Sequence, residues 1–383
     1  MADTLNDTEK MIMETVRAFA RERVRPRAAE IDRTGEFPWD LVRAMAGMGL
    51  MGVCLPEQYG GAGQSYSLFA MIVEEICAAC ASTGLILDVT VSLCAEAILA
   101  FGTDDQKRKY LEPLARGEVL GALAITEPGA GSDAAAITTS AVRKGDCYVL
   151  NGTKTFITNG GVAGVYVVTT VTDKSHGHQG ISDFIVEKGV PGLSFGEPMH
   201  KMGICGSTTT EVVFSDCPVP AANLLGMEGQ GFKITMDTLD AGRIGIAAQA
   251  VGIARAALED AIAYASERRQ FGQAITSFQG IQFMIADMAT AIEAARLLTM
   301  QAAHLRDQRI PCARESAMAK LFASDTAVRV SSDALQLFGG YGYMKEFPAE
   351  RHMRDARITQ IYEGTNQVQR VVIARQLLGR GIG

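Results

Sequence analysis

The sequence predicts an α+β protein of more than one domain, ordered as helices, then β structure, then a helical bundle. Three observations carry this. The 383 residues exceed the roughly 100–200 of a typical domain, and 48% are hydrophobic, enough for sizeable cores. Prolines crowd into the first 220 residues, and beyond Pro220 only Pro311 and Pro348 interrupt the chain. Proline removes a backbone donor and clashes with the preceding turn, so long helices are free to form only in the C-terminal part. Short Val, Ile, Thr and Phe runs cut by glycine turns are confined to the middle.

Residues 1–120 carry helical patterns broken at Pro56 and at Gly60-Gly61-Ala62-Gly63. Over 121–230, runs such as Tyr148-Val149-Leu150 and Val165 to Val171 alternate with Lys144-Gly145-Asp146, Asn151-Gly152, Asn159-Gly160-Gly161 and His176-Gly177. These are strand and turn signals at short intervals, and Ile137-Thr138-Thr139 reads as a further strand. Over 231–383 the composition predicts helices at 243–268, 279–309 and 312–338, with Phe283, Ile285, Met288, Ile292, Ala295 and Leu298 at helical spacing.

Charge and targeting signals narrow the function. With 36 Lys+Arg against 43 Asp+Glu the net charge is −7, and no basic stripe provides the footprint of a nucleic-acid binder. Asp3, Asp7, Glu9 and Lys10 stand where an export leader needs a basic start and an apolar run. Asp88 and Glu96 interrupt the most apolar region, so no membrane span is expected. The eight cysteines are scattered, as suits reduced thiols in a cytoplasmic protein.

Apparent motifs are weighed by context. Gly129-Ala130-Gly131-Ser132-Asp133-Ala134 matches a dinucleotide fingerprint, but no βαβ unit follows it. Such a loop can still hold phosphate through its N–H groups. Cys77-Ala-Ala-Cys80 reads as buried helix thiols and His176-Gly-His178 as a solvated turn, so no metal is expected. P-loop, nucleophile-elbow and H-E-x-x-H patterns are absent. There remains Ile361-Tyr362-Glu363-Gly364-Thr365-Asn366-Gln367. Alone, Glu363 reads first as a cap or a surface acid; in an apolar cleft its pKa would rise and it could act as a general base.

Two longer patterns stand out, Ile125-Thr126-Glu127-Pro128-Gly129-Ala130-Gly131-Ser132-Asp133 and Gln336-Leu-Phe-Gly339-Gly340-Tyr341-Gly342-Tyr343, the second continuing through Glu346 and Arg351 to Asp355. Between them lie Phe156-Ile157-Thr158-Asn159-Gly160, Arg268-Arg269-Gln270-Phe271-Gly272, Phe278-Gln279 and Ala286-Asp287-Met288. Together these segments resemble the acyl-CoA dehydrogenases, a flavoprotein family, over essentially the whole chain. The resemblance implies an N-terminal helical domain, a middle β-barrel-like domain and a C-terminal four-helix bundle, assembled as a homotetramer with bound FAD.

By the same resemblance, Leu123, Ala124, Thr126, Phe156, Ile157 and Thr158 embrace the flavin, and Gly131 and Ser132 lie near the phosphate-bearing parts of cofactor and substrate. Arg268, Gln279, Gln336, Gly339 and Gly340 reach the cofactor of a neighbouring subunit, Phe271 also contacts cofactor, and Thr365 and Gln367 complete the site. Asp240 and Arg243 fall at the CoA moiety, Tyr362 and Gly364 beside the thioester. A helix-surface role for Arg243 stays open.

Glu363 is implied as the base that removes the substrate α-proton while the β-hydride passes to flavin N5, giving a trans-2-enoyl-CoA. The Glu363 N–H and a ribityl hydroxyl would hold the thioester oxygen. Relatives acting on isovaleryl or long chains place the base near the position held here by Gly242, so a short acyl chain, linear or branched, is favoured. Asp88 stands where short-chain members usually carry serine. It reads either as hydrogen-bonded to backbone or as a contact for a polar or alicyclic acyl group. Electron-transferring flavoprotein is the implied acceptor. The same residues would serve an enoyl-CoA reductase, and a helical binding module is the non-enzymatic alternative.

Overall fold

The computed structural model describes residues 5–379. The outermost residues of the first and third segments, 1–4 with Asp3 and 380–383, lie outside the described residues. The N-terminal layer is helical: α1 (Asp7–Phe19), α2 (Ala28–Thr34), α3 (Trp39–Gly47), α4 (Tyr66–Ala79), α5 (Ala81–Asp88), α6 (Glu96–Phe101) and α7 (Asp104–Ala115). Caps explain two of the starts: Asn6 with Glu9 and Thr103 with Gln106 each form a reciprocal capping box. Cys77 lies within α4, but Cys80 sits in extended conformation at the break before α5, so the pair does not share one helix.

Helix α5 runs through a π-helical turn, Val89–Ala95, into α6. This corrects the expectation drawn from Asp88 and Glu96: Ala81–Phe101 is by length and composition apolar enough to cross a membrane. Within its most apolar window 78% is buried inside the protein, where the stretch packs against the long helix Gly231–Glu267 and the sheet and is core.

The middle layer is one eight-stranded mixed sheet. Its strands are β1 (Gly121–Ala124), β2 (Ser140–Lys144), β3 (Cys147–Thr158), β4 (Val165–Val171), β5 (Ile181–Glu187), β6 (Leu193–Phe195), β7 (Thr209–Pro220) and β8 (Leu224–Leu225). Neighbours run β6-β7-β3-β2-β4-β5-β8, with β1 parallel to β4 in the register Gly121 to Val165. β4 is buried at every position, as a central strand covered on both faces should be. Ile137-Thr138-Thr139 is not a strand: its N–H groups at Thr138 and Thr139 donate to the Glu127 carboxylate, and β2 begins only at Ser140.

The C-terminal layer is built on α8 (Gly231–Glu267), which starts twelve residues before the expected helix because no proline or strong cap stops it. After a short two-stranded ribbon, β9 (Arg269–Gln270) with β10 (Gln273–Ala274), come α9 (Gln279–Asp307) and α10 (Ala313–Phe338), then α11 (Ala349–Ile358) and α12 (Asn366–Leu377). Small residues keep α8 close to its neighbours: Ala247, Ala250, Ala254, Ala257 and Ala261 are buried. α8 packs on α10, α4 and α9, which brings the glycine-containing stretch Gly242-Arg243-Ile244-Gly245 to the interior.

Candidate active site

The turn between α11 and α12 carries Glu363 with φ +51° and Gly364 with φ +88°. Positive φ is unfavourable for a residue with a Cβ, and such strain persists only where surroundings hold it. Two helices do so. From α12, Gln369 Nε2 donates to the carbonyls of Glu363 (3.1 Å) and Gly364 (2.9 Å). From α10, Lys320 Nζ donates to the Gly364 carbonyl at 2.8 Å. The Tyr362 hydroxyl donates to Gln249 of α8. Thr365, not Glu363, caps α12, accepting from Val368 N, so the cap reading of Glu363 is overturned.

The Glu363 carboxylate points at the helix α8. Its Oε2 is shut off from solvent without a hydrogen-bond partner, and a Cβ added at Gly242 would overlap it. Three residues along α8, on the same face, a Cβ at Gly245 would overlap Asp88 Oδ1. Asp88 ends α5 with no exposure, and neither of its oxygens has a partner. The backbone-bonded reading of Asp88 therefore fails. Ser92 lies close enough to temper its charge but makes no hydrogen bond of good geometry. Burial raises Asp88 to about 7. Burial first, then the Asp88 charge, pushes Glu363 well above the usual carboxylate range, against Lys320 and Arg243.

Arg243 is 4% exposed and bonded to Asp240, which excludes the surface-charge reading; its Nε has no partner. Burial lifts Asp240 to about 6 although Arg243 opposes it. Glu363, Asp88, Tyr362, Gly364 and the Asp240–Arg243 pair thus gather around one stretch of α8.

The expected flavin residues fall into two groups. Leu123 and Ala124 end β1 and Thr126 follows it, and a bulge in β3 between Lys154 and Ile157 turns Phe156 outward, 67% exposed at φ +58°. Ile157 points inward at 2% and Thr158 is half-buried. Thr155 N donates to the Thr126 carbonyl at 2.8 Å, tying the two segments together. Gly131 and Ser132 are exposed, and nothing lies within 4 Å of a Cβ at Gly131.

The second group, Arg268, Phe271, Gln279, Gln336, Gly339 and Gly340, is exposed on elements that pack on α8, α9 and α10. Arg268, Gly339 and Gly340 line a cavity of about 520 Å³ with Tyr264 and Tyr341, and the Arg268 guanidinium lies 5.6 Å from the Tyr341 ring centroid. Phe271 stands 93% exposed beside it in sequence, without lining the cavity. Thr365 is half-buried and Gln367 exposed at the start of α12. Open glycine backbone beside a guanidinium without an anionic partner among the described residues fits a diphosphate, and an outward aromatic on a bulge fits a flat ring, so these residues fit FAD.

No local pattern marks what supports the first group. Lys154 and Glu127 form a fully buried ion pair at 2.8 Å; Lys154 also donates to the Ile125 carbonyl, and Glu127 accepts from Thr138 and Thr139. In sequence both look like strand-edge charges. Lys320 was missed for the same reason, since Ala319-Lys320-Leu321 has the look of a helix surface.

With this geometry in place, comparison with known proteins is direct. The models of the acyl-CoA dehydrogenase N-terminal, middle and C-terminal domains match residues 6–118, 122–217 and 229–378. A short-chain-specific acyl-CoA dehydrogenase of Clostridium acetobutylicum is 50% identical over 97% of this chain and 98% of its own. The butyryl-CoA dehydrogenase structure from Megasphaera elsdenii has a TM-score of 0.96 at 47% identity, covering 98% of this chain and 99% of that one. A chain from a study of the electron transferring flavoprotein of Acidaminococcus fermentans and flavin-based electron bifurcation has a TM-score of 0.97 at 52% identity, covering 98% and 99%. The chain belongs to the acyl-CoA dehydrogenase family and is an FAD-dependent oxidoreductase.

Proposed function

We propose that this enzyme α,β-dehydrogenates a short-chain acyl-CoA, with Glu363 as the base that takes the α-proton. The observation that carries the reading is the unpartnered Glu363 Oε2, held on a strained turn against the bare glycine face of α8. A carboxylate without competing donors is a strong base, and a raised proton affinity brings it toward that of a weakly acidic α-carbon. The Glu363 N–H donates to no other group among the described residues and is free to hold the thioester oxygen. Bound FAD supplies the acceptor for the β-hydride. Thr126, Phe156 and Thr158 would bracket its ring, Ser132 its phosphate side, and Thr365 and Gln367 its remaining edge. Arg268 with Gly339 and Gly340 would take the diphosphate of a neighbouring subunit's cofactor in a homotetramer, with Phe271, Gln279 and Gln336 alongside.

Arg243, paired with Asp240, would meet the CoA moiety, and Tyr362 and Gly364 the thioester. The names of the similar short-chain and butyryl-CoA enzymes favour a short acyl group. The flavoprotein context of the Acidaminococcus structure favours electron-transferring flavoprotein as electron partner, in either direction of the reaction.

One observation favours a second reading. Asp88, unpartnered beside Glu363, would suit a polar or alicyclic acyl group better than a plain chain. Anaerobic titration of the FAD-replete protein with acyl-CoA thioesters, watching flavin absorbance, tests both. Bleaching by butyryl-CoA is expected. Bleaching only by a cyclic or polar thioester, lost in Asp88→Ser, would select the second reading, and none by any thioester would refute both.

A further inference from the structure

Lys320 belongs to no part of the site described by resemblance, yet among the described residues it is, with Arg243, one of two buried cations that act on Glu363, and it has no exposure at all. It lies on α10 with no exposure, among buried Ser316, Ala319, Ala323 and Ser324. Burying an ammonium is strongly unfavourable unless an anion and good acceptors compensate it, so a neutral residue would serve packing better. Its acceptors are the Gly364 carbonyl at 2.8 Å and Asn366 Oδ1 at 3.0 Å, one on each side of Thr365. Asn366 is itself anchored, donating to Asp325 at 2.7 Å. Gln369 reaches the same Gly364 carbonyl from the other helix. The strained Glu363–Gly364 turn is thus pinned at a carbonyl adjacent to the base.

The charges around the two groups are few. Glu363 faces Asp88 from α5, Arg243 from α8 and Lys320 from α10, with Tyr362 beside it in the chain. Lys320 faces Glu363, Asp325 and Arg243. Burial pushes Lys320 down to about 7, and Glu363 is the foremost group that holds it up.

We propose that Lys320 is a positioning residue for the base: it locks the Glu363–Gly364 turn and favours the ionised Glu363 carboxylate, in opposition to Asp88, which favours the protonated one. The inference rests on Glu363 being the base. An ionised base makes kcat/KM rise with pH, so the ascending limb of the pH profile reports its proton affinity.

The test is that profile, taken with butyryl-CoA on FAD-replete Lys320→Met and Asp88→Asn proteins, with flavin content measured on each. Lys320→Met should move the ascending limb upward by about one pH unit or more and lower kcat more than it changes KM. Asp88→Asn should move the limb downward. Where Lys320→Met does not load flavin, Lys320→Gln, which keeps a donor toward Gly364, carries the same comparison. A limb that stays in place in a flavin-loaded Lys320 variant overturns the proposal. Glu363→Gln separates this from failure of the underlying reading: if that variant keeps turnover, Glu363 is not the base, whatever Lys320 does.

Discussion

Two buried charged clusters serve the site, and they are built by opposite rules. In the cluster behind Thr126 both charges are met: Glu127 accepts from Lys154 at 2.8 Å and from the N–H groups of Thr138 and Thr139, and Lys154 also reaches the Ile125 carbonyl. Burial pushes Glu127 up, but the Lys154 charge and these donors outweigh it and hold the carboxyl at about 2. In the base-side cluster Glu363 Oε2 and both Asp88 oxygens are buried without partners, and burial sends both groups upward. The first arrangement fixes a loop; the second, with Glu363 as the proposed base, would keep a carboxylate reactive. What separates scaffold from chemistry here is satisfaction of hydrogen bonds, not burial or charge.

The sharpest way to break this contrast is Glu363→Gln. The change keeps shape and removes the proposed base, so kcat for butyryl-CoA should fall roughly 10²–10⁴-fold. Flavin content and thermal midpoint should stay near the parent values, because no hydrogen bond to Oε2 is lost. A large loss of flavin or stability would show the carboxylate to be scaffold after all.

Lys154→Met should invert that pattern. Removing one partner of a buried pair leaves an uncompensated charge, which destabilises by about 3–5 kcal/mol. Denaturant unfolding would read the loss, and the loop at Thr126 should loosen with a fall in flavin affinity. The sign with pH follows from Glu127. Its folded-state pKa of about 2 lies below the ordinary 4.5, so its stabilisation is full above about 4.5 and disappears as pH falls toward 2. The Lys154→Met penalty should therefore shrink over that window.

Much of this was legible in the sequence. Proline placement marked out α8, α9 and α10, and the glycine-bounded Val/Ile/Thr runs marked the strands. The residues of the Thr126, Phe156, Arg268 and Glu363 segments carried the family. What stayed hidden depends on distant contacts. That Glu363 takes positive φ is set by Gln369 and Lys320 from two helices, and a lysine flanked by Ala319 and Leu321 gives no local sign of being buried. The parallel pairing of β1 with β4 follows from no turn signal, since parallel neighbours need a long crossover. Gly242 was read for the carboxylate it lacks; its positive role, making room for Glu363, shows only in three dimensions.

That role gives a smaller effect. Gly242→Ala adds a helix former to α8, a gain of up to about 1 kcal/mol in propensity, while its methyl would overlap Glu363 Oε2 and the buried Leu93 side chain. Turnover should fall about tenfold or more as Glu363 is displaced, with the crowding at Leu93 offsetting the propensity gain in denaturation. Unchanged turnover would mean that Glu363 need not lie against α8 to act.

The smallest effect sharpens the contrast from the Asp88 side, and its sign is opposite to that of Glu127. Asp88 has a folded-state pKa of about 7, above its ordinary 3.8, so the fold favours its neutral form. Stability is greatest below about 3.8 and is lost as pH rises through 7, where an unpartnered carboxylate must be carried in the interior. Asp88→Asn removes that charge at nearly constant shape. The variant should therefore be more stable than the parent at pH 8, by roughly 1 kcal/mol or more, and the advantage should narrow toward pH 5. Lys154→Met moves the other way, harming the protein at neutral pH and less in acid. Were Asp88→Asn instead destabilising at pH 8, Asp88 would have an anion-stabilising partner and would belong with Glu127, as scaffold, and its place beside the base would need another reason.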